Sequence, residues 1–412
     1  MGEEDDVNIR FEGGGQWVGE RWWYRFAHVC QRWRNLILGS TLYLGLCLVC
    51  TYGTPVADML AHSPPLPLII DYRDRDITAE DEEAIILALA QRDRVRRIRL
   101  DIPVLQLQKL IMTIDGEYPI LEYLILRDLY EDETMVLILP QTLQTPHLHH
   151  LVIGCSIPIR FQLLTTAVGL VTLNLGLYHP STYFQPTVLL QSLSLMPQLE
   201  MLLIFLNFSV PNRDVERQLI RSPITTHATL PILRSFSLLA VNAFSEAVLS
   251  RITASRLEDF QICYPKQLTF PVPELVQFMG RTDNLRFDRA ILYFYSERVY
   301  VEFNPPKAKT FSFSINVDCW HLDWQVSSVT QIFNALSQVI SAVERLTLVH
   351  EAHRQSSEEH NEVERTEWRK LLRPFSNVKT LQIDNELVRV VYDWRTKRIL
   401  WRSYPNCKSS HI

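Results

Sequence analysis

The amino-acid sequence predicts an α/β solenoid, in which short parallel strands alternate with helices. Two observations lead to this fold class. An apolar-x-x-apolar-x-apolar pattern recurs along most of the 412 residues, and stretches that are typical of helices separate its copies. One such unit cannot bury its own apolar face, so consecutive units are expected to stack side by side into a continuous sheet.

The strands are predicted from nine copies of this pattern. The copies follow one another at intervals of 22 to 35 residues, apart from one gap of 86 residues, which has room for about three irregular units. Because side chains alternate along a strand, the fourth and sixth residues of a copy, such as Leu124 and Leu126, are expected to point into the core. The copies begin at Val95, Leu121, Leu148, Leu170, Leu199, Leu233, Leu257, Val343 and Val378.

The helices are predicted between the strands, at residues 78–92, 104–114, 186–195, 273–279, 327–343 and 362–372. Thr78 is followed by Asp81 and Glu82, which is typical of a capped and acidic first turn. Pro186 and Pro273 suit the first position of a helix. Strands and helices in alternation predict a parallel sheet that is covered on one side by helices.

Three segments depart from this regular pattern. Residues 282–317 have the alternation of strands, with tight connections at 296–298 and 304–309, and predict an antiparallel insertion. Residues 352–362 are charged and polar and predict a loop. Residues 1–16 are acidic and contain three consecutive glycines, so they are predicted to be disordered. The solenoid is assigned to residues 51–407.

From residue 69 to residue 385 the copies resemble leucine-rich repeats in a degenerate form. In that family the pattern continues with Asn or Cys at a fixed ladder position. This sequence has Leu129, Ser156 or Tyr178 at the corresponding positions. The resemblance implies a degenerate leucine-rich-repeat solenoid of irregular curvature that binds another protein.

An amphipathic helix is predicted within residues 22–44, before a strand at residues 43–49. Its apolar side chains recur at offsets of three and four residues, so they share one face of the helix. These side chains are Phe26, Val29, Cys30, Trp33, Leu36 and Ile37.

The series Val29-Cys30-x-x-Trp33-Arg34-x-Leu36 resembles the last helix of an F-box. With the later TPVADML and PPLPLIIDY, it is similar to the large fungal group of F-box proteins that carry repeats in their C-terminal halves. The resemblance implies a target-recognition subunit of an SCF-type ubiquitin ligase, acting in ubiquitin-dependent protein degradation. Its repeats would hold a protein target that the sequence does not identify. The residues implied to bind a Skp-type adaptor are Phe26, Val29, Cys30, Trp33 and Leu36.

The Leu-Pro-x-Glu helix that opens an F-box is not found in residues 1–16, so residues 17–50 correspond to a partial F-box. A second interpretation of this segment therefore stays open. Repeat proteins need a cap at each open end of the solenoid. The apolar side chains of the segment could supply that cap instead of binding an adaptor.

The partner-binding surface is predicted on the strand residues that lie between the inward-pointing ones, on the concave face of the sheet. An apolar centre beside an arginine-rich edge is typical of protein recognition. The alternative is that an inserted loop or the C-terminal tail covers these residues. The predicted face consists of Arg97, Arg99, Tyr123, Ile125, Arg127, Val152, Asn174, Met201, Leu203 and Phe205.

Charge and motifs argue against several other functions. A net charge of −5, with no basic run, disfavours nucleic-acid binding. The sequence contains no G-x-S-x-G elbow and no P-loop, and the pair His350 and His353 is one residue short of a zinc-protease motif. Cys47 and Cys50 form one C-x-x-C without a second pair of ligands. We therefore expect no catalytic residues, no metal and no cofactor.

The remaining features concern location. The acidic start lacks the features of a secretory signal, and seven scattered cysteines suit buried thiols in the cytoplasm or nucleus. Residues 36–57 are uncharged, but glycines and a proline interrupt them, which favours a helix end and a strand over a membrane anchor.

The leading hypothesis is a non-enzymatic ligase subunit. A stand-alone scaffold is the alternative, and a membrane-tethered repeat protein is the third possibility.

Overall fold

The computed structural model describes residues 22–39, 44–73, 77–130, 136–157, 161–206, 224–265, 267, 269–281, 287–306, 311–351, 365–384 and 387. The predicted disordered segment at residues 1–16, the predicted loop at 352–362 and the end of the predicted solenoid at 388–407 lie outside the described residues. The chain divides into two compact units. Unit 1 consists of Met1–Tyr130 and Ile138–Leu148, and unit 2 of Glu131–Leu137 and His149–Ile412.

Unit 1 contains four parallel strands in the order β1-β2-β3-β4. A helix follows each of the first three strands. The strands are β1 (Leu48–Cys50), β2 (Leu68–Tyr72), β3 (Val95–Ile102) and β4 (Tyr123–Asp128). The helices are α1 (Trp22–Ala27), α2 (Gln31–Gly39), α3 (Val56–His62), α4 (Ala79–Leu89) and α5 (Val104–Ile111).

The first turn of α4 confirms the predicted helix start. Thr78 Oγ1 accepts a hydrogen bond of 3.1 Å from the Asp81 backbone N–H, and Asp81 Oδ2 accepts one of 3.3 Å from the Thr78 N–H. This capping box provides acceptors for two backbone N–H groups that have no partner within the helix. Asp81 Oδ1 also accepts from the Gly53 N–H at 3.4 Å, which joins α4 to the turn after β1.

The N-terminal segment forms two helices instead of the single predicted helix. The turn between α1 and α2 contains Val29 and Cys30, two residues of low helix propensity. The expectation of one apolar face is therefore wrong. Ile37 is buried, whereas Phe26, Val29, Trp33 and Leu36 are exposed. The following strand is also shorter than predicted, because β1 begins only at Leu48.

Unit 2 is likewise built around a mostly parallel sheet, with the strand order β5-β6-β7-β9-β11-β14-β13-β12-β15-β16. Its strands are β5 (His150–Gly154), β6 (Thr172–Leu177), β7 (Met201–Leu206), β8 (Ala228–Thr229), β9 (Ser235–Leu239), β10 (Ile252–Thr253), β11 (Asp259–Tyr264), β12 (Arg289–Tyr295), β13 (Arg298–Asn304), β14 (Ser312–Asp318), β15 (Arg345–Glu351) and β16 (Thr380–Ile383). The short strands β8 and β10 pair separately.

The helices of unit 2 lie between its strands along the chain. They are α6 (Phe161–Thr166), α7 (Pro186–Leu193), α8 (Asn242–Leu249), α9 (Pro273–Arg281), α10 (Leu322–Ala335), α11 (Ser337–Ile340) and α12 (Arg365–Leu372). Pro186 and Pro273 occupy the first helical positions, as predicted. The predicted helix at 327–343 begins earlier and is divided into α10 and α11.

All nine predicted strands are present, and each pairs in parallel with at least one neighbour of its own unit. The long gap in the pattern does not hold three further units of the same kind. It contains β12, β13 and β14, where β13 pairs antiparallel with both β12 and β14. Two-residue and seven-residue connections join these strands, which leaves no room for crossover helices between them.

The core of unit 2 contains a row of phenylalanines across four neighbouring strands. Phe260 and Phe313 stack with their centroids 5.5 Å apart, and Phe303 stacks on Phe313 at 5.6 Å. Phe236 continues the row on the other side, 5.4 Å from Phe260. All four rings are buried. Phe236 and Phe260 are inward-pointing residues of two predicted copies of the repeat. Phe303 and Phe313 belong to strands of the long gap and continue the same row.

The uncharged stretch at residues 36–57 is divided among secondary-structure elements in the way the sequence predicted. Its described part contains the end of α2, strand β1 and the first residues of α3. Among the residues that the structure describes, no helix has the length and apolar character required to cross a bilayer.

Candidate functional site

The α1–α2 segment presents an exposed apolar surface. The side chains of Phe26, Val29, Trp33 and Leu36 are 41%, 64%, 46% and 60% exposed. Phe26 and Trp33 stack with their ring centroids 5.6 Å apart and their planes 13° apart. Cys30 lies between the two helices and is also exposed. We call these five residues the hairpin surface.

Other residues attach this segment to the rest of unit 1. Trp23 is buried, and its indole Nε1–H donates a hydrogen bond of 3.2 Å to the carbonyl oxygen of Cys47. Cys47 belongs to a buried cluster with Val49 of β1 and Ile69 of β2. All described residues of β1 and β2 are buried.

The predicted partner-binding residues of unit 1 lie on β3 and β4, opposite the face that holds Leu124 and Leu126. Arg97 lies opposite Tyr123 in the strand register, and its guanidinium stacks 4.7 Å from the centre of that ring. Arg99 lies opposite Ile125, and both are buried. Arg127, Arg97 and Tyr123 are half-buried.

This face of unit 1 carries alternating charges. Asp71 of β2 lies opposite Arg99, and Asp101 of β3 lies opposite Arg127. Asp101 Oδ2 accepts from Arg99 Nε at 2.6 Å. Asp71 binds Arg73 through two hydrogen bonds of 2.7 and 2.8 Å. We call the six residues the charged face: Asp71, Arg73, Arg97, Arg99, Asp101 and Arg127.

The predicted partner-binding residues of unit 2 lie on β5, β6 and β7. Val152, Asn174 and Leu203 stand side by side in the register of these strands. Each is less than 10% exposed, at 6%, 7% and 2%. Met201 and Phe205 on β7 are half-buried. Because neighbouring strands lie only about 4.8 Å apart, side chains of this length shield one another, and the apolar strip is less open than the sequence pattern suggests.

The same row becomes polar farther along the sheet of unit 2. Ser237, Gln261 and Ser314 follow Leu203 in register on β9, β11 and β14. Asp259 accepts hydrogen bonds from Ser312 at 2.6 Å and from Ser235 at 3.5 Å. Beyond the apolar centre, this face of the sheet therefore carries hydroxyl, amide and carboxylate groups.

A tyrosine cluster lies on β12 and β13 and was not predicted from the sequence. Tyr293 lies 6.1 Å from Tyr295 and 6.0 Å from Tyr300, measured between ring centroids. The guanidinium of Arg298 lies 5.2 Å from the centre of the Tyr295 ring. Alternation within residues 289–304 places these rings on one face, but the repeat pattern is absent there and therefore predicts no partner-facing positions. Tyrosine and arginine are enriched at the centres of protein interfaces.

Buried titratable groups of unit 2 have structural partners. Burial raises the pKa of Glu246 to about 7, although its carboxylate accepts hydrogen bonds from the backbone N–H groups of Glu274 at 2.6 Å and Leu275 at 3.2 Å. These donors belong to the first turn of α9, so Glu246 caps that helix from α8. Burial also raises the pKa of the Cys263 thiol well above its ordinary value, which makes it a poor nucleophile.

No protein-family model matches the chain, and no curated protein matches it.

Proposed function

We propose that this protein is the target-recognition subunit of an SCF-type ubiquitin ligase. In this proposal the hairpin surface binds a Skp-type adaptor, and the strand faces of the repeat units hold a protein target. The observation that carries the proposal is the exposure of four large apolar side chains on α1 and α2, at 41% to 64%. Such a cluster is costly to leave in water and is typical of a surface that another protein covers.

The residues of the hairpin surface are not the ones that hold the segment in place. Trp23 and Ile37 are 4% and 7% exposed, and Trp23 is hydrogen-bonded to Cys47. Docking and capping are therefore assigned to different side chains. This separation supports adaptor binding, because a segment that only capped the sheet would gain nothing from exposed Trp33 and Leu36.

A stand-alone scaffold is the second candidate function. It is favoured by the burial of all described residues of β1 and β2 beside the N-terminal segment, which is what a repeat protein requires of a cap. In that case the strand faces still bind a protein, but no adaptor associates with α1 and α2.

Co-expression of the full chain with a Skp-type adaptor, followed by size-exclusion chromatography, distinguishes the two candidates. We expect co-elution with the wild type and with Trp324→Ala, but none with Trp33→Ala. Trp324 is a matched control because it is a tryptophan of unit 2 with 43% exposure, close to the 46% of Trp33. A folded wild-type chain that elutes without adaptor would contradict the ligase proposal and leave the scaffold.

A further inference from the structure

We propose that an acidic edge of unit 2 binds a basic segment of the target polypeptide, whose arginine or lysine side chains stack on two exposed tryptophans. This inference rests on the proposed target-binding role, but it does not depend on the adaptor. The edge lies where β12 and β14 end. We call its six residues the tryptophan rim: Glu297, Arg298, Asp318, Trp320, Asp323 and Trp324.

The strand register brings the tryptophan rim together at one edge of the sheet. β13 pairs antiparallel with both β12 and β14, so β12 and β14 end at the same edge. Arg298 at the start of β13 lies opposite Asp318 at the end of β14. The buried side chain of Gln325 on α10 donates hydrogen bonds of 2.8 Å from Nε2 to the carbonyl oxygens of Tyr295 and Cys319. The segment between β14 and α10 is thus held beside the turn that joins β12 to β13.

Two tryptophans of this rim are open to solvent. Trp320 is 60% exposed and Trp324 is 43% exposed, whereas Trp368 of the same unit is fully buried. The ring of His321 lies 4.5 Å from that of Trp324, at an angle of 84°. Large aromatic surfaces are unfavourable in water, and exposed patches of this kind are typical of sites that a partner covers. The packing of unit 2 therefore does not explain why these positions carry tryptophan.

The charge of the rim favours a basic partner. Its three carboxylates outnumber its one arginine, so the tryptophan rim has a net charge of −2. Glu297 is exposed and Asp323 is half-buried, and neither forms an ion pair with another described residue. A surface of negative potential attracts cations and repels acidic segments. The tryptophans are therefore matched to a segment that carries positive charge.

Aromatic rings and cations also attract each other directly. A guanidinium or ammonium group within about 6 Å of a ring centre is attracted by the ring face, and tryptophan gives the strongest interaction. The same edge already contains one such contact, because the guanidinium of Arg298 lies 5.2 Å from the centre of the Tyr295 ring. Basic side chains of a partner can form the same contact with Trp320 and Trp324, while the carboxylates of the rim pair with their charge. Nucleic-acid phosphates would instead meet these carboxylates.

The experiment is a fluorescence-anisotropy titration of the full chain with a fluorescein-labelled peptide of alternating arginine and serine. The same peptide with citrulline in place of arginine is the control, because citrulline keeps the planar side chain and removes its charge. We expect the arginine peptide to bind at least about tenfold more tightly. Trp320→Ala and Trp324→Ala should each weaken its binding about tenfold, and Glu297→Gln about threefold.

Matched variants separate the rim from the rest of the chain. Glu258→Gln removes an exposed carboxylate just before β11, at the opposite edge of the same sheet, and should leave peptide binding unchanged. Trp33→Ala should also leave peptide binding unchanged while it removes adaptor binding, and Trp324→Ala should do the reverse. Failure of the peptide proposal and failure of the ligase proposal are thus separate results. All these side chains are exposed, so the variants should fold, which thermal melting verifies.

Four outcomes would overturn the proposal. They are equal binding of the citrulline peptide, no effect of Trp320→Ala and Trp324→Ala, a wild-type dimer that Trp320→Ala converts to a monomer in size-exclusion chromatography, or a rise in peptide affinity after Arg395, Lys397 and Arg398 are replaced by glutamine. The third outcome would assign the tryptophan rim to a second copy of the chain. The last would assign it to the basic C-terminal residues of the chain itself.

Discussion

Trp23 donates its indole N–H to the carbonyl oxygen of Cys47, and this bond connects helix α1 to the residue just before strand β1. Trp23 is 4% exposed, whereas Trp33 on the next helix is 46% exposed. The two tryptophans of the same short segment therefore have opposite roles, one in attachment and one at the surface.

The first prediction compares these two tryptophans. Trp23→Ala should destabilise unit 1 by about 3 kcal/mol or more, because it removes a buried aromatic side chain and a hydrogen bond. Trp33→Ala should change stability by less than about 0.5 kcal/mol. Urea denaturation followed by circular dichroism measures both. If Trp33→Ala is the more destabilising change, the exposed placement of the hairpin surface is wrong.

The second prediction concerns the start of α4. Thr78→Ala removes the hydroxyl that accepts from the Asp81 N–H, so it should cost about 1 kcal/mol. Thr269→Ala is the control, because Thr269 is an exposed threonine outside the helices and strands. The difference between their urea midpoints reports the cap. Equal midpoints would show that the capping box contributes nothing to stability.

The third prediction concerns the phenylalanine row in unit 2. Phe313 stacks between Phe260 and Phe303 and is 1% exposed. Phe313→Ala should destabilise the protein by about 3 to 5 kcal/mol, because it leaves a cavity in the middle of the row. Phe313→Leu keeps most of the volume and should cost clearly less. Thermal melting of the two variants tests the order, and equal losses would mean that the row is not closely packed.

The repeat pattern was sufficient to predict where the main strands lie. Eight of the nine predicted copies have a strand that begins at their third residue, and the copy at Val95 starts with its strand. The first apolar residue of a copy, such as Leu121 or Leu148, is buried in the turn before the strand. Its side chain is part of the core but the residue is not part of the strand, so the pattern begins two residues before the strand does.

The sequence could not predict which apolar side chains of the N-terminal segment would be buried. Periodicity alone placed Ile37 with Trp33 and Leu36, since all three fit one helical face. All three lie on α2, yet Ile37 is buried while Trp33 and Leu36 are exposed. Long-range contacts such as the Trp23–Cys47 bond leave no local signal in the sequence.

The openness of the predicted partner face also could not be judged from the pattern. Alternation correctly assigns Val152, Asn174 and Leu203 to one row. It does not show how far the side chains on the two adjacent strands shield each of them from solvent. The tyrosine cluster on β12 and β13 depends on an antiparallel register of strands outside the repeat. A cross-strand pair such as Tyr293 and Tyr300 becomes visible only when that register is known.

The fourth prediction is a dependence of stability on pH through Glu246. Burial raises its pKa from 4.5 to about 7. The folded state therefore binds the proton more tightly than the unfolded state, so this contribution to stability is complete below pH 4.5 and is lost as the pH rises through about 7. Melting temperatures at about pH 5 and about pH 8 should differ more for the wild type than for Glu246→Gln. An unchanged difference in the variant would mean that another group causes the dependence.

The most direct test of the central claim is the affinity of the purified full chain for a purified Skp-type adaptor, measured by isothermal titration calorimetry. Leu36→Ala and Trp33→Ala should each weaken this affinity, Trp33→Ala by about 30-fold, as expected for a tryptophan at the centre of an interface. Trp324→Ala should leave it unchanged. An affinity that none of the three substitutions alters would show that the hairpin surface is not where the adaptor binds.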